Sequence, residues 1–244
     1  MDVQRVPSCF RVGLVTSVCL TLMSASLWAE GPSAPRPDFG TLSARAAEAR
    51  EAHRTDDAIA LYREALSSRS TWAEGWWYLG TLLYDRDGYA EAATAFERSA
   101  ALDAKNGSVL VMLGLCEFQL GRHDDALRHI QEGRRRGTSI DPQFRRVMLY
   151  HEGLLLLGRR EFERAQQTLG LLSREGADSN ELIVALGLSV LRIRPDDLPA
   201  DPAVREAVRR AGWAEHLAAR KDFAGALREY ERLASSSSAI ARAV

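Results

Sequence analysis

Cysteine, proline and an excess of either charge are all scarce in this 244-residue chain, and each shortage removes a class of protein. Two of the three cysteines, Cys9 and Cys19, fall within the first twenty residues, which leaves no framework for a disulfide-stapled domain. Eight prolines are too few, and apolar residues too evenly spread, for a long disordered chain. Lys and Arg number 32 against 33 Asp and Glu, so the basic excess of a general nucleic-acid binder is missing. Strand-like Val/Ile/Thr alternation is almost absent while Ala, Leu, Glu and Arg dominate, and the chain reads as all-α. There is no Gly-rich phosphate loop, no Gly-x-Ser-x-Gly elbow and no supported carboxylate pair, so the expectation is no enzyme, no catalytic residues and no cofactor.

The one long apolar run lies at the start. Arg5 and Arg11 precede an apolar stretch from Val12 to Leu27, and Ala29 ends it with a small residue. This order of charge, apolar run and small residue is that of a secretory signal peptide over residues 1–29, with Ser24-Ala25 as an alternative cleavage site. An uncleaved inner-membrane anchor formed by residues 12–29 is the competing reading, because the run approaches the ~18–20 residues that span a bilayer. Residues 30–38 form a Pro/Gly/Ser linker. The expected location is therefore periplasmic or secreted, with membrane contact only if the leader is retained. Cleavage leaves Cys116 as the sole cysteine.

Beyond the linker the sequence repeats every thirty-four residues. In the unit 73–106, Trp76, Leu79, Gly80 and Leu83 share one helical face, Asp87-Gly88 makes a turn, and Tyr89, Ala92, Phe96 and Ala100 mark a second helix. The same pattern recurs at 39–72 (Leu42, Ala46, Ala58, Tyr62), at 107–140 (Leu110, Gly114, Gly121, Ala126, Ile130) and, after a short insertion, at 146–179 (Leu149, Gly153, Ala165, Leu169). A degenerate unit spans 180–236, where Pro195 and Pro199 interrupt the second helix. There Asp201 reads as an N-cap with Pro202 in the first helical position, opening a long helix to about Arg220 that is followed by another over 223–234. The arrangement resembles the tetratricopeptide repeat, whose pattern is W-x2-L-G-x2-Y, then A, then F. The resemblance implies a right-handed α-solenoid of stacked antiparallel helix pairs over 39–236, with residues 237–244 as a disordered tail.

Repeat positions 2, 5, 9 and 12 of each first helix lie opposite the face that closes the pair. They carry a second apolar stripe, from which Trp77, Tyr84, Val111, Phe118 and Tyr150 stand out as candidate groove residues. The stripe suits either an apolar peptide held in a groove or burial under neighbouring helices. Chaperone-binding members of the family hold a terminal carboxylate with Lys, Asn and Arg at positions 5, 6 and 9. Here those positions read Trp77, Tyr78 and Thr81, then Val111, Met112 and Leu115, so that clamp is missing. His151-Glu152 begins like a zinc-protease helix but lacks the second histidine, and His123 and His129 are six apart, so no metal site is expected. Cys116, among leucines, reads as a packing residue. The arginine pairs and triplets at 134–136, 145–146 and 159–160 alternate with acids and read as a solvated surface.

The expected function is thus a protein–protein interaction scaffold or adaptor of the cell envelope, binding another protein or a peptide segment and no nucleic acid. The alternative is a structural subunit that self-associates or joins a larger envelope complex. The leader reading has a direct test: intact-mass measurement of the exported protein should show a chain lacking residues 1–29, whereas full-length chain in the membrane fraction establishes the anchor.

Overall fold

Eleven helices follow one another in the computed structural model, which describes residues 38–138 and 141–235. The segment read as a leader, the linker expected before Asp38 and the tail expected at 237–244 lie outside the described residues. The helices are α1 (Phe39–Glu51), α2 (Thr55–Ser68), α3 (Ala73–Tyr84), α4 (Tyr89–Leu102), α5 (Gly107–Gln119), α6 (His123–Arg136), α7 (Pro142–Gly158), α8 (Phe162–Arg174), α9 (Asn180–Leu191), α10 (Pro202–Ala219) and α11 (Phe223–Ser235). Consecutive helices pack as pairs, and each pair packs on the next.

Local chemistry sets the ends of these helices. Side-chain oxygens of Asp38, Asn106, Asp141, Ser179 and Asp201 accept hydrogen bonds from the first free backbone amides of α1, α5, α7, α9 and α10. Pro142 and Pro202 sit in first turns, where no amide is needed. The turn inside each pair uses one device throughout. One residue adopts the left-handed region (His53, Asp87, Gly121, Arg160 and Lys221). The next amide then reaches back five residues to a carbonyl, as from Gly88 to Leu83 and from Asp222 to Leu217. The α10–α11 turn obeys this rule, so α10 closes one pair with α9 and opens another with α11.

Pair closure depends on a small residue in the first helix. A Cβ on Gly80 would lie 2.7 Å from the Phe96 ring, one on Gly114 would lie 2.7 Å from Ile130, and one on Gly153 would lie 2.5 Å from Leu169. The fifth pair differs. A Cβ on Gly187 would fall 1.8 Å from the carbonyl oxygen of Val208, and one on Gly212 would fall 1.8 Å from that of Ile183. Here backbone meets backbone, with a glycine on each side. The repeat period counted from Gly153 reaches Gly187, but it does not point to Gly212.

Two cores meet in α5. Val109, Leu113 and Cys116 face the cluster built from α1 to α4, while Val111 and Leu115 face the cluster that runs from α6 to α10. Burial pushes the Cys116 thiol up to about 12, which keeps it protonated and inert. Between α6 and α7 the contact includes a buried acid: Glu152 accepts from Gln131 and pairs with Arg134 at 3.2 Å. Its second carboxylate oxygen has no hydrogen-bond partner among the described residues, and burial raises its pKa. The arginine-rich surface is mixed in sign, with Arg159 bound to Asp124, Arg145 to Glu175 and Arg192 to Glu163. Arg159–Asp124 and Arg192–Glu163 link successive units, Arg145–Glu175 ties α7 to the end of α8 within one pair, and each is worth about 0–1 kcal/mol.

The close crossing of α9 and α10 makes a sharp prediction. Gly212→Ala should destabilise the chain by at least about 1–3 kcal/mol, because the added methyl meets the Ile183 backbone and no rotamer relieves it. Denaturant melts of the purified variant measure the loss; Gly170→Ala, whose Cβ meets nothing closer than 3.6 Å, should cost far less.

Candidate partner-binding face

The first helices α3, α5 and α7 bring a run of half-buried rings to the border of the second core. Tyr84, Phe118 and Tyr150 all pack against that cluster without being engulfed by it. Phe118 meets the His151 ring edge to face at 4.9 Å, and His151 meets Tyr150 in the same way at 5.7 Å. On its other side Phe118 stacks on His123, at the start of α6, at 5.7 Å. Four aromatic rings from α5, α6 and α7 therefore touch in sequence.

His151 holds a defined orientation. Its Nδ1 lies 2.8 Å from the Val147 carbonyl oxygen. A carbonyl only accepts, so Nδ1 carries the proton and Nε2 keeps its lone pair. Burial lowers the pKa, and the ring is neutral at pH 7. Sequence reading considered this histidine only as a zinc ligand. The signal that could have found it was adjacency to Tyr150 at the next repeat position, one residue away from the expected stripe.

The other two candidates go elsewhere. Trp77 packs against Phe96 at 5.5 Å, on the edge of the first core, and is not part of the Phe118 set. Val111 is fully buried, which corrects its placement on an exposed groove. The cause lies in α6, where Gly133 lets the helix close down on α5. A Cβ there would come within 2.8 Å of the Val111 side chain and 2.5 Å of the Gly107 carbonyl oxygen. Repeat position alone did not reveal that approach.

Beside the ring run a cavity of about 360 Å³ opens at the ends of α5 and α7. Phe118 and Leu154 supply an apolar wall, and Arg159, Arg194 and Asp196 form part of its rim. The rim charges are internally paired, Arg159 with Asp124 and Arg194 with Asp196 at 3.1 Å. Such a site offers apolar contact and shape rather than net charge. Among the described residues no three His, Cys, Asp or Glu side chains are grouped as metal ligands, and no helix is long and apolar enough to cross a membrane.

Residues 43–107 and 79–139 match the tetratricopeptide repeat family. No curated protein sequence matches the chain significantly. Among solved structures, YrrB, described as a TPR protein with an unusual peptide-binding site, superposes with a TM-score of 0.59 at 16% identity, covering 80% of this chain and 92% of its own. MamA gives a TM-score of 0.52 at 17% identity, covering 78% and 96%. A tetratricopeptide repeat protein from Parabacteroides merdae gives 0.54 at 13% identity, covering 83% and 78%. These likenesses show the fold: an array of stacked tetratricopeptide-repeat helix pairs.

The buried imidazole predicts a pH dependence. The unfolded chain takes up a proton near the ordinary 6.5, but the native His151 does so only at lower pH. Between those values the unfolded state holds more protons, so stability falls on acidification and is unaffected above that range. His151→Gln should reduce the stability lost between pH 7 and about pH 5, as read by denaturant titration at the two values. His216, also depressed by burial, accounts for part of what remains.

Proposed function

We propose that this tetratricopeptide-repeat protein is an interaction scaffold of the cell envelope, holding an apolar segment of another protein against the face formed by its first helices. The observation that carries the reading is the contact run of Tyr150, His151, Phe118 and His123 beside an apolar-walled cavity. Tyrosine and its aromatic relatives make good anchors because they bring large area at little conformational cost. The internally paired rim favours a ligand read by its apolar side chains, with charges playing little part. Peptide binding by YrrB, a chain of the same fold, is consistent with this mode. The leader-like residues 1–29 support placement in the envelope, as an exported chain or one held at the inner membrane.

The chemistry needed is recognition alone. A rigid array holds its rings in place before the partner arrives, so little ordering cost is added on binding. The neutral Nε2 of His151 supplies an acceptor among otherwise apolar groups, suited to one peptide N–H or hydroxyl donor.

Selection of a displayed peptide library against the purified chain tests this directly. Enriched sequences should carry closely spaced aromatic or large aliphatic residues. Phe118→Ala and Tyr150→Ala should each weaken the enriched peptides by about 30-fold, the loss of one interface anchor of ~2 kcal/mol. Both residues are half-buried, so helicity should be retained. Failure of any peptide to enrich, or binding indifferent to both substitutions, overturns the proposed face.

A further inference from the structure

Among the described residues four large apolar side chains are strongly exposed, and three of them gather at the last helix pair: Trp213 (43%), Phe223 (67%) and Leu227 (58%). The repeat itself says what that exposure means. Ala226 matches Ala58, Ala92 and Ala126, the small residue of each second helix, so Leu227 matches Ile59, Ala93 and Leu127. Those three are covered, at 8%, 3% and 6% exposure. By the same count Trp213 matches Leu79 and Leu113, which are also buried. Leu227 and Trp213 thus occupy positions that the second and third pairs bury, and together with Phe223 they stand unburied on the α10–α11 face.

The charges around this face narrow the occupant. Most acids of α10 and α11 are engaged within the pair: Glu206 with Arg209 and Arg210, Glu229 with Arg232, and Glu215 with the Tyr230 hydroxyl. Arg228 and Glu231 are exposed and make no ion pair among the described residues. They stand one turn apart on α11, beside Leu227. A face bearing one cation and one anion at that spacing is complementary to itself under a two-fold axis, because antiparallel α11 helices exchange the two signs. Residues 236–244 contain Arg242 as their only charged side chain, and so bring no acidic side chain to Arg228.

We infer that the α10–α11 face docks a second copy of this chain, forming a two-fold dimer. Leu227 and Phe223 lie at its centre, and Arg228 is set against Glu231 of the other copy. At its edge lies a cleft of about 430 Å³ where Trp213 and Leu217 stand among the charged side chains Glu206, Arg209, Arg210 and Glu229. The contact leaves the Phe118–Tyr150 rings free, so each copy keeps its own partner face.

Sedimentation velocity on the full chain across a wide range of concentration is the test. The expected result is a shift from one-chain to two-chain mass as concentration rises. Leu227→Arg should raise the dissociation constant by at least about 30-fold, the effect of losing one buried anchor, with the circular dichroism of the monomer unchanged. Arg228→Glu and Glu231→Arg should each weaken the dimer by bringing like charges together, and the double exchange Arg228→Glu/Glu231→Arg should restore it. A one-chain mass at every concentration, a dimer indifferent to Leu227→Arg, or an exchange that fails to rescue overturns the inference. So does a dimer that forms only in Ile240→Asp, which would make residues 236–244 the occupant of the face.

Discussion

The pairs α1–α2, α3–α4, α5–α6 and α7–α8 rest on one steric constraint: a residue of almost no bulk on the first helix must face a large side chain on the second. Gly80 under Phe96, Gly114 under Ile130 and Gly153 under Leu169 are three instances of the same lock, and Ala46 with Tyr62 occupies the equivalent positions in the first pair. The lock sets the distance between helices and hence the angle at which each unit presents its outer residues. It also explains why each first helix can be so apolar. With the glycine side committed to closing the pair, the remaining faces are left to neighbouring units or to a partner.

That division of faces was legible in the sequence to an uneven degree. The thirty-four-residue period, the turn at Asp87-Gly88 and the Asp201–Pro202 helix start follow from spacing and capping chemistry, which are local properties. The burial of Val111 is not local. It depends on Gly133 and Gly107, on two different helices, being small at the same crossing. Counting repeat positions treats all units as alike, and α5–α6 is closer than its neighbours would suggest. The same limitation hid Gly212, whose importance appears only when Gly187 stands opposite.

The aromatic face shows the reverse case. Phe118 and Tyr150 were visible as outward positions on successive first helices, because side chains three or four residues apart share a face. The residue that joins them, His151, was not, since it lies one position beyond Tyr150 and outside the positions counted as the apolar stripe. Its ring is held by a main-chain carbonyl of its own helix, a bond that any residue spacing would conceal. Where two periodic positions are bridged by a third group, sequence gives the supports and structure gives the span.

The double role of α5 has a consequence for how the array comes apart. Repeat proteins are often able to fray unit by unit, because each unit touches only its neighbours. Here the one helix that separates the two cores is buried on both sides, from Val109 and Leu113 on one face to Val111 and Leu115 on the other. Opening the array on either side of α5 exposes an apolar helix that no polar face can shield. Half-folded states that end at α5 are therefore costly, and the helix acts as a coupler that makes the two halves melt together rather than in turn.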